Sequence, residues 1–330
     1  MGTRHLELEA PPSFRLDLTV WALRRRPHNT VDRWNGATYR RILVADAGPI
    51  QIAVRQNPDA DRPRLTVELR QREHEPSDTA VDEIRHSLER TLGLSLDLSG
   101  FYDLARKDER LNQLAQRFCG MRPPRFPSMF EALVNAVACQ QLSLTVGIHL
   151  LDRLSAAYGP TTGGRAVASG FPTPERLAEV EPSQLRRLGF SLAKARTVVM
   201  LAHQVASRAL DLDALEHRDD NHVFDTLVAL PGIGRWSAEY SMLRGLGRLH
   251  VLPGDDVGAR NNLRRRFDLS DDAGYDSLTE LSRRWSPYGG LVYLHLLLDS
   301  LESAKKLVGR REPSENPLPH VAVRDRGEVA

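Results

Sequence analysis

The spacing of apolar residues changes once along this chain of 330 residues, and that change limits the folds open to it. Before about residue 100, apolar and polar residues alternate in short runs, which is typical of strands with one buried face. After Phe101, apolar residues recur at intervals of three and four, as on one side of a helix. The sequence therefore predicts a small α+β domain over 10–100, followed by an all-α region over 101–308.

The alternating part predicts an antiparallel sheet that packs against one helix. Alternating or continuous apolar runs occur at 14–20, 41–44, 50–54 and 64–70. Asp46-Ala47-Gly48-Pro49 separates the two central runs and is a typical hairpin turn. Ser77 can cap a helix that carries Val81, Ile84 and Leu88 on one side.

The helical part predicts several helices and a polar tail. The expected helices are one from Leu104 to Phe118, one from Phe130 towards Leu151, short ones at Pro174 and Pro182, one over 194–210, and further ones up to about Leu307. The tail, 309–330, is polar and contains three prolines, so we expect it to be disordered.

Composition excludes several classes of protein. Hydrophobic residues make up 41% of the chain, but no run of about 18 apolar residues predicts a membrane span. The two cysteines, Cys119 and Cys139, are too few for a disulfide framework or a four-cysteine metal site. No apolar leader precedes the first domain, so we expect a cytoplasmic protein.

The segment Leu230-Pro231-Gly232-Ile233-Gly234 separates two amphipathic helical patterns. Proline ends the first helix, and the glycines allow a tight loop directly before the second. The free N–H groups at the start of that second helix can bind a phosphate oxygen. The alternative is a turn that serves packing alone.

This segment resembles the hairpin of the helix-hairpin-helix DNA glycosylases. Leu252-Pro253-Gly254-Asp255-Asp256 follows at the spacing where that superfamily keeps its catalytic aspartate. Further stretches resemble the AlkA-type branch, the 3-methyladenine DNA glycosylases II: 171–177, 188–190, 243–245 and 284–288. The resemblance covers about 130–298 and is weaker over 10–100, where that branch has an α+β domain like half of a TATA-binding protein.

The resemblance implies an enzyme that flips a damaged nucleotide out of double-stranded DNA and cleaves its N-glycosidic bond. Asp256 is the position of the catalytic carboxylate, which would stabilise an oxocarbenium-like sugar. Asp255 is expected to cap the helix that begins near Val257. The alternative is that both aspartates cap that helix.

Two sequence features that differ between members of the superfamily indicate the subclass that this chain resembles. Members that also nick the strand carry a nucleophilic lysine just after the hairpin, where this chain has Trp236. Tryptophan cannot form a Schiff base, so the resemblance implies a monofunctional enzyme that leaves an abasic site. Endonuclease III-like members hold an iron–sulfur cluster on four C-terminal cysteines, and none follows Cys139, so we expect no such cluster.

Aromatic residues are expected to form the base pocket. Trp236 and Tyr240 are four residues apart and share a helix face. The resemblance places both in the pocket wall, together with Tyr288 and Trp21. An electron-rich wall attracts a cationic base such as an N-alkylated purine. The alternative is that these aromatics belong to the hydrophobic core.

The remaining contacts to DNA also come from the resemblance. The hairpin residues expected to contact the DNA backbone are Gly232, Ile233, Gly234 and Arg235. In the stretch Ala138–Ser143, Gln141 aligns with the wedge that fills the gap left by the flipped base, and Leu142 does so if the register shifts by one. Downstream arginines could contact phosphates or lie on a solvated face: Arg260, Arg264, Arg265 and Arg266.

No cofactor is expected to be required. A monovalent cation, Na⁺ or K⁺, is implied at the hairpin through the main-chain carbonyls of Val228, Leu230 and Gly232. The expectation is thus a monomeric, nucleoid-associated glycosylase that excises alkylated purines of the 3-methyladenine type from duplex DNA. The alternatives are the same fold acting on oxidised or deaminated bases, and a DNA-binding protein without catalysis.

Overall fold

The N-terminal part of the chain contains a five-stranded antiparallel sheet. The computed structural model describes residues 2–46, 48–163, 168–267, 270 and 275–307. The strands of the sheet are β1 (Gly2–Glu9), β2 (Arg33–Trp34), β3 (Thr38–Ala45), β4 (Gly48–Gln56) and β5 (Arg64–Gln71). They lie in the order β1-β5-β4-β3-β2. The predicted hairpin is confirmed, since Ala45 pairs with Gly48 across the turn.

The sheet begins before residue 10, where the sequence placed the start of the domain. β1 pairs with β5 along eight residues, from Gly2 opposite Gln71 to Glu9 opposite Arg64. Only Leu6 and Leu8 of β1 are buried. A sheet-edge strand with two apolar side chains gives too short an alternation to stand out in the sequence.

The strand predicted over 14–20 is wrong, because this segment is a helix, α1 (Leu16–Arg24). All nine of its residues are buried, including Asp17 and Thr19. Asp17 pairs with Arg15, and the Thr19 hydroxyl accepts from the backbone N–H of Arg122. A helix buried on every side has no polar face, so its apolar spacing does not distinguish it from a strand.

The second helix lies against the sheet, as predicted. α2 (Asp78–Thr91) begins at the N-cap Ser77, whose hydroxyl accepts from the N–H of Ala80. Its buried face includes Val81, Ile84 and Leu88. The helix spacing in this segment was therefore interpreted correctly.

Helices make up most of the rest of the chain. They are α3 (Ser99–Ala105), α4 (Glu109–Arg117), α5 (Met129–Cys139), α6 (Leu144–Tyr158), α7 (Pro174–Ala178), α8 (Pro182–Arg187), α9 (Leu192–Ala206), α10 (Asp220–Val228), α11 (Arg235–Ser241), α12 (Val257–Phe267), α13 (Tyr275–Arg283) and α14 (Gly289–Ser303). A 3₁₀ turn, Ala214–His217, precedes α10, and a π-helical turn, Met242–Leu246, extends α11.

Two predicted helices are each divided in the structure. The helix expected from Leu104 to Phe118 is divided between α3, which ends at Ala105, and α4, which Asp108 caps through the N–H of Leu111. The helix expected from Phe130 towards Leu151 is α5 and α6, with Ser143 as the new N-cap. In both cases a capping side chain within a helical spacing marks the break.

A buried ionic network joins the sheet to the helical region. Arg41 on β3 donates to Asp32 at 2.7 Å and to Glu131 on α5. The Tyr39 hydroxyl also donates to Asp32, at 2.8 Å. All of these side chains are buried, so the network fixes α5 relative to the sheet.

Among the described residues, no helix combines the length and apolar character needed to cross a membrane. The tail predicted to be disordered, 309–330, lies outside the described residues.

Candidate active site

A cleft of about 1380 Å³ lies where the hairpin faces α14 and the loop between α5 and α6. Its lining includes the hairpin loop, Trp236, Tyr240, Asp256 and Tyr293. These residues come from separate segments of the chain, and the sequence predicted four of the five.

The hairpin geometry depends on glycine at one position. Gly232 has a φ of +85°, and a Cβ there would lie 2.1 Å from the Thr197 hydroxyl oxygen. Gly234 is the N-cap of α11, and a Cβ there would meet nothing within 4 Å. The space above Gly234 is therefore open, as a loop that contacts a ligand through its backbone requires.

The carboxylate of Asp256 is held in the cleft by three donors. Its Oδ1 accepts from the N–H of Ala259 at 2.7 Å. Its Oδ2 accepts from the Trp236 indole at 3.3 Å and from the Tyr293 hydroxyl at 3.1 Å. Asp256 thus lies beside the hairpin, half-buried, in a fixed orientation.

Asp256, and not Asp255, caps α12. The expectation that Asp255 caps this helix is wrong, since the N–H at N3, that of Ala259, bonds to Asp256. One carboxylate oxygen therefore serves the helix, while the other takes donors from two cleft residues. Capping and a role in the cleft, which the sequence presented as alternatives, are combined in one residue.

Trp236 and Tyr240 form one wall of the cleft. Their rings stack with centroids 5.3 Å apart and planes inclined by 27°. Tyr240 accepts a hydrogen bond from Arg25 at 2.7 Å, and burial raises the pKa of its hydroxyl. Both side chains of the wall are thus uncharged, and the hydrogen bond from Arg25 holds Tyr240 in place.

Trp21 and Tyr288, the other two predicted wall residues, are not among the residues that line the cleft. Trp21 is buried in the hydrophobic cluster that packs α1 against α14. Tyr288 packs edge-on against Phe101 at 5.8 Å. Both side chains therefore pack in the hydrophobic cluster around α14, because α1 presents Trp21 to the α14 side and Tyr288 precedes the first turn of α14.

Tyr293 is the cleft aromatic that the sequence did not reveal. It lies in the apolar run of α14, where an aromatic at helical spacing is typical of core. Burial raises the pKa of its hydroxyl well above the usual value, and the neighbouring Asp256 adds to the effect. The hydroxyl therefore keeps its proton and remains a donor to the carboxylate.

Two buried arginines line the cleft without having been predicted. Arg25 and Arg244 place their guanidinium carbons 5.2 Å and 5.1 Å from the Phe126 ring. Arg25 donates to Tyr240 and, at 2.5 Å, to Asn135. Within the described part of the chain, Arg25 Nε and Arg244 Nε and Nη1 have no hydrogen-bond partner. These two side chains therefore bring positive charge to the lining of the cleft.

The loop between α5 and α6 is fixed to the hairpin by two side chains. Gln140 donates to the Gly232 carbonyl at 2.9 Å and to the Ser237 hydroxyl at 2.8 Å. The Lys194 ammonium donates to the carbonyls of Ala138 and Gln140, at 3.0 and 2.6 Å. These contacts position the segment that was expected to carry the wedge.

Both candidate wedges, Gln141 and Leu142, are presented by this loop. Gln141 has a φ of +53°, a left-handed conformation that a non-glycine residue adopts at some energetic cost. Leu142, the next residue on this loop, is 43% exposed. The structure brings both to the cleft rim, and the choice between them stays a prediction.

The arginines after Asp256 do not line the cleft. Arg265 and Arg266 pair with Asp299 on α14, at 3.3 and 3.1 Å. Arg260 bonds to the carbonyl of Asp255. These side chains already have partners within the protein, so the arrangement favours a structural role over phosphate contact.

The carbonyls expected to bind a cation lie at the cleft. Gly232 O accepts from Gln140, and Leu230 O accepts from the N–H of Ile233 at 3.0 Å. A carbonyl oxygen has two lone pairs, so each keeps one for a cation. The donor set fits Na⁺ or K⁺, and the cation stays a prediction.

Comparison with known proteins agrees with this geometry. Residues 134–287 match the family described as HhH-GPD superfamily base excision DNA repair protein. YfjP of Bacillus subtilis is 31% identical over 169 residues, or 51% of this chain and 58% of YfjP, so the chain spans less than two thirds of that relative. DNA-3-methyladenine glycosylase 2 of Escherichia coli is 29% identical over 232 residues, or 66% of this chain and 79% of the relative.

The fold also matches a solved structure. The 3-methyladenine DNA glycosylase from Archaeoglobus fulgidus superposes with a TM-score of 0.78 at 24% identity, covering 92% of this chain and 100% of that one. This likeness confirms the predicted α+β domain followed by a helical core. The chain is thus similar, over residues 134–287, to the helix-hairpin-helix base excision DNA repair proteins, and it shares the fold of a 3-methyladenine DNA glycosylase.

Proposed function

We propose that this protein is a monofunctional DNA glycosylase that removes alkylated purines from duplex DNA and leaves an abasic site. The observation that carries the proposal is the carboxylate of Asp256, held beside the hairpin by Trp236 and Tyr293. The name of the Escherichia coli relative, DNA-3-methyladenine glycosylase 2, supports the substrate class.

Asp256 would act on the sugar of the flipped nucleotide. As the N-glycosidic bond breaks, positive charge develops on the deoxyribose. A carboxylate about 4 Å away, at an effective dielectric constant of about 20, stabilises that charge by about 4 kcal/mol, or roughly three powers of ten in rate. The three donors to Asp256 fix its direction before the substrate arrives, so little reorganisation is needed.

The stacked wall would bind the base. Trp236 lines the cleft, and the ring of the buried Tyr240 is stacked against it. A cationic alkylated purine gains about 1–2 kcal/mol against an aromatic surface and is already a good leaving group. The protein then needs no general acid to protonate the base.

Water, and not a lysine, would complete the reaction. Trp236 occupies the position where strand-nicking members carry their nucleophile. Lys194 also lines the cleft, but its ammonium already donates to two carbonyls, those of Ala138 and Gln140. A protonated amine held in this way is not a nucleophile.

The hairpin and the loop between α5 and α6 would hold the DNA. The backbone N–H groups at the start of α11, where the space beside Gly234 is open, would bind a phosphate, and a cation on the carbonyls of Val228, Leu230 and Gly232 would add charge there. Gln141 or Leu142 would fill the gap in the duplex.

A second substrate class is favoured by one observation. Arg25 and Arg244 line the same cleft as the aromatic wall. Arginine donors match the O6 and N7 acceptors of a purine, and their charge disfavours a cationic base. Neutral deaminated or oxidised purines are therefore the alternative substrates.

The test is to incubate the full chain with three duplex DNAs and to identify the released bases by chromatography. One DNA is methylated, one contains hypoxanthine and one contains 8-oxoguanine. Release of methylated purines alone supports the proposal. Release of hypoxanthine or 8-oxoguanine alone assigns the alternative, and no release from any substrate contradicts a glycosylase function.

A further inference from the structure

Two histidines and an aspartate meet on the side of the molecule where the chain leaves α1. His28 lies between α1 and β2, while His149 and Asp152 lie on α6. One ligand atom from each residue lies within 4.8 Å of the others. His149 and Asp152 are three residues apart on one helix, so they share a face.

One nitrogen of His28 is free to bind an ion. The His28 Nε2 is buried and has no hydrogen-bond partner among the described residues. A neutral imidazole nitrogen is a common protein ligand for a metal ion.

Asp152 is oriented by Thr30. Its Oδ1 accepts from both the N–H and the hydroxyl of Thr30, each at 2.8 Å. These two bonds fix the carboxylate against the His28 segment and leave Oδ2 for a further ligand. Two imidazoles with one carboxylate form a donor set that suits Zn²⁺, with water in the fourth position.

The two imidazole rings are stacked, with centroids 3.9 Å apart and planes inclined by 15°. The lone pairs of parallel rings do not converge on one ion. His149 is exposed, so its ring can turn about its side-chain bonds until its nitrogen approaches that of His28.

We propose that His28, His149 and Asp152 bind one Zn²⁺ ion that cross-links the segment after α1 to α6. The bound ion would strengthen a connection close to the cleft. Arg25 contacts the aromatic wall three residues before His28, and Arg26 donates to the Thr145 hydroxyl at 3.0 Å. Because α6 begins directly after the Gln140–Ser143 loop, the ion would also fix the base of that loop.

The experiment is a Zn²⁺ titration of the tag-free, chelator-treated full chain by calorimetry, with Co²⁺ absorption as a second measurement. Binding of one equivalent is expected, with a rise in Tm of roughly 4 °C at a hundredfold excess over Kd. His149→Ala and Asp152→Asn should each weaken binding at least tenfold. His149 is exposed, and the amide that replaces the Asp152 carboxylate keeps an acceptor for Thr30, so neither change should unfold the chain.

His86→Ala is the matched control, since His86 is exposed on α2 and lies outside the cluster. It should bind one equivalent with the affinity of the original chain, and Co²⁺ should give the intense visible bands of a four-coordinate site. Absence of one-equivalent binding in the original chain would overturn the proposal. Binding that is unchanged in both His149→Ala and Asp152→Asn would show adventitious zinc on surface groups and would overturn it as well.

Discussion

Replacing Arg41 with methionine should destabilise the protein strongly. Arg41 is 1% exposed and is the cation between Asp32 and Glu131. Methionine fills a similar volume but leaves two carboxylates facing each other in the core, with Tyr39 as a donor to one of them. Removing one partner of a buried ion pair costs about 3–5 kcal/mol, a large part of a typical stability of about 5–15 kcal/mol.

Urea unfolding followed by circular dichroism measures this effect. With a slope of roughly 3 kcal/mol per molar urea for a chain of this size, the midpoint should fall by about 1 M or more. Arg70→Met is the matched control, because Arg70 pairs with Glu68 at 2.7 Å on the exposed side of β5. That surface pair should contribute less than about 1 kcal/mol.

A double variant separates the lost ion pair from lost packing. Arg41→Met combined with Glu131→Gln should recover part of the stability, because one unpaired charge is removed with its partner. If Arg41→Met costs no more than the Arg70 control, the network does not fix α5 to the sheet and the reasoning is refuted.

Three further predictions concern the site and its surroundings. Borohydride should trap no protein–DNA adduct, because Trp236 occupies the lysine position and the Lys194 ammonium is held by carbonyls; a trapped adduct would contradict the monofunctional assignment. The affinity for duplex DNA should fall steeply and linearly on a log–log plot against salt, as measured by fluorescence anisotropy, and a flat line would argue against backbone contacts. Burial lowers the pKa of His295 to about 4. Its contribution to stability is therefore complete above pH 6.5 and lost as the pH falls towards 4, by about 3 kcal/mol in total. His295→Leu should remove this part of the pH dependence in urea titrations, whereas the exposed-residue control His222→Leu should keep it.

The sequence predicted those parts of the fold that have one buried and one exposed face. β5 alternates because one of its sides packs against the core, and α2 has a clear apolar face. β3 and β4 have buried side chains at consecutive positions, and the turn between them identified them as a hairpin. α1 was misread because it is buried on all sides. The spacing of apolar residues does not distinguish a helix from a strand in a segment that is buried on all sides.

The sequence predicted those residues of the candidate site that follow closely after the hairpin along the chain. Trp236 and Tyr240 follow the hairpin on one helix, and Asp256 follows at a fixed spacing. Tyr293 and Arg25 reach the cleft only through tertiary packing, from helices far away in the chain. Tyr293 lies in an apolar run and Arg25 among three consecutive arginines, so neither residue type gave a separate signal.

Asp256→Asn tests the central claim most directly. Asparagine caps a helix as well as aspartate does, so α12 should keep its N-terminus while the negative charge is lost. Single-turnover base release from methylated duplex DNA should fall by about a thousandfold, while binding to an abasic-site analogue is retained. Asp255→Asn, the adjacent control, should keep most of the activity. Undiminished base release by the Asp256 variant would contradict the role assigned to this carboxylate.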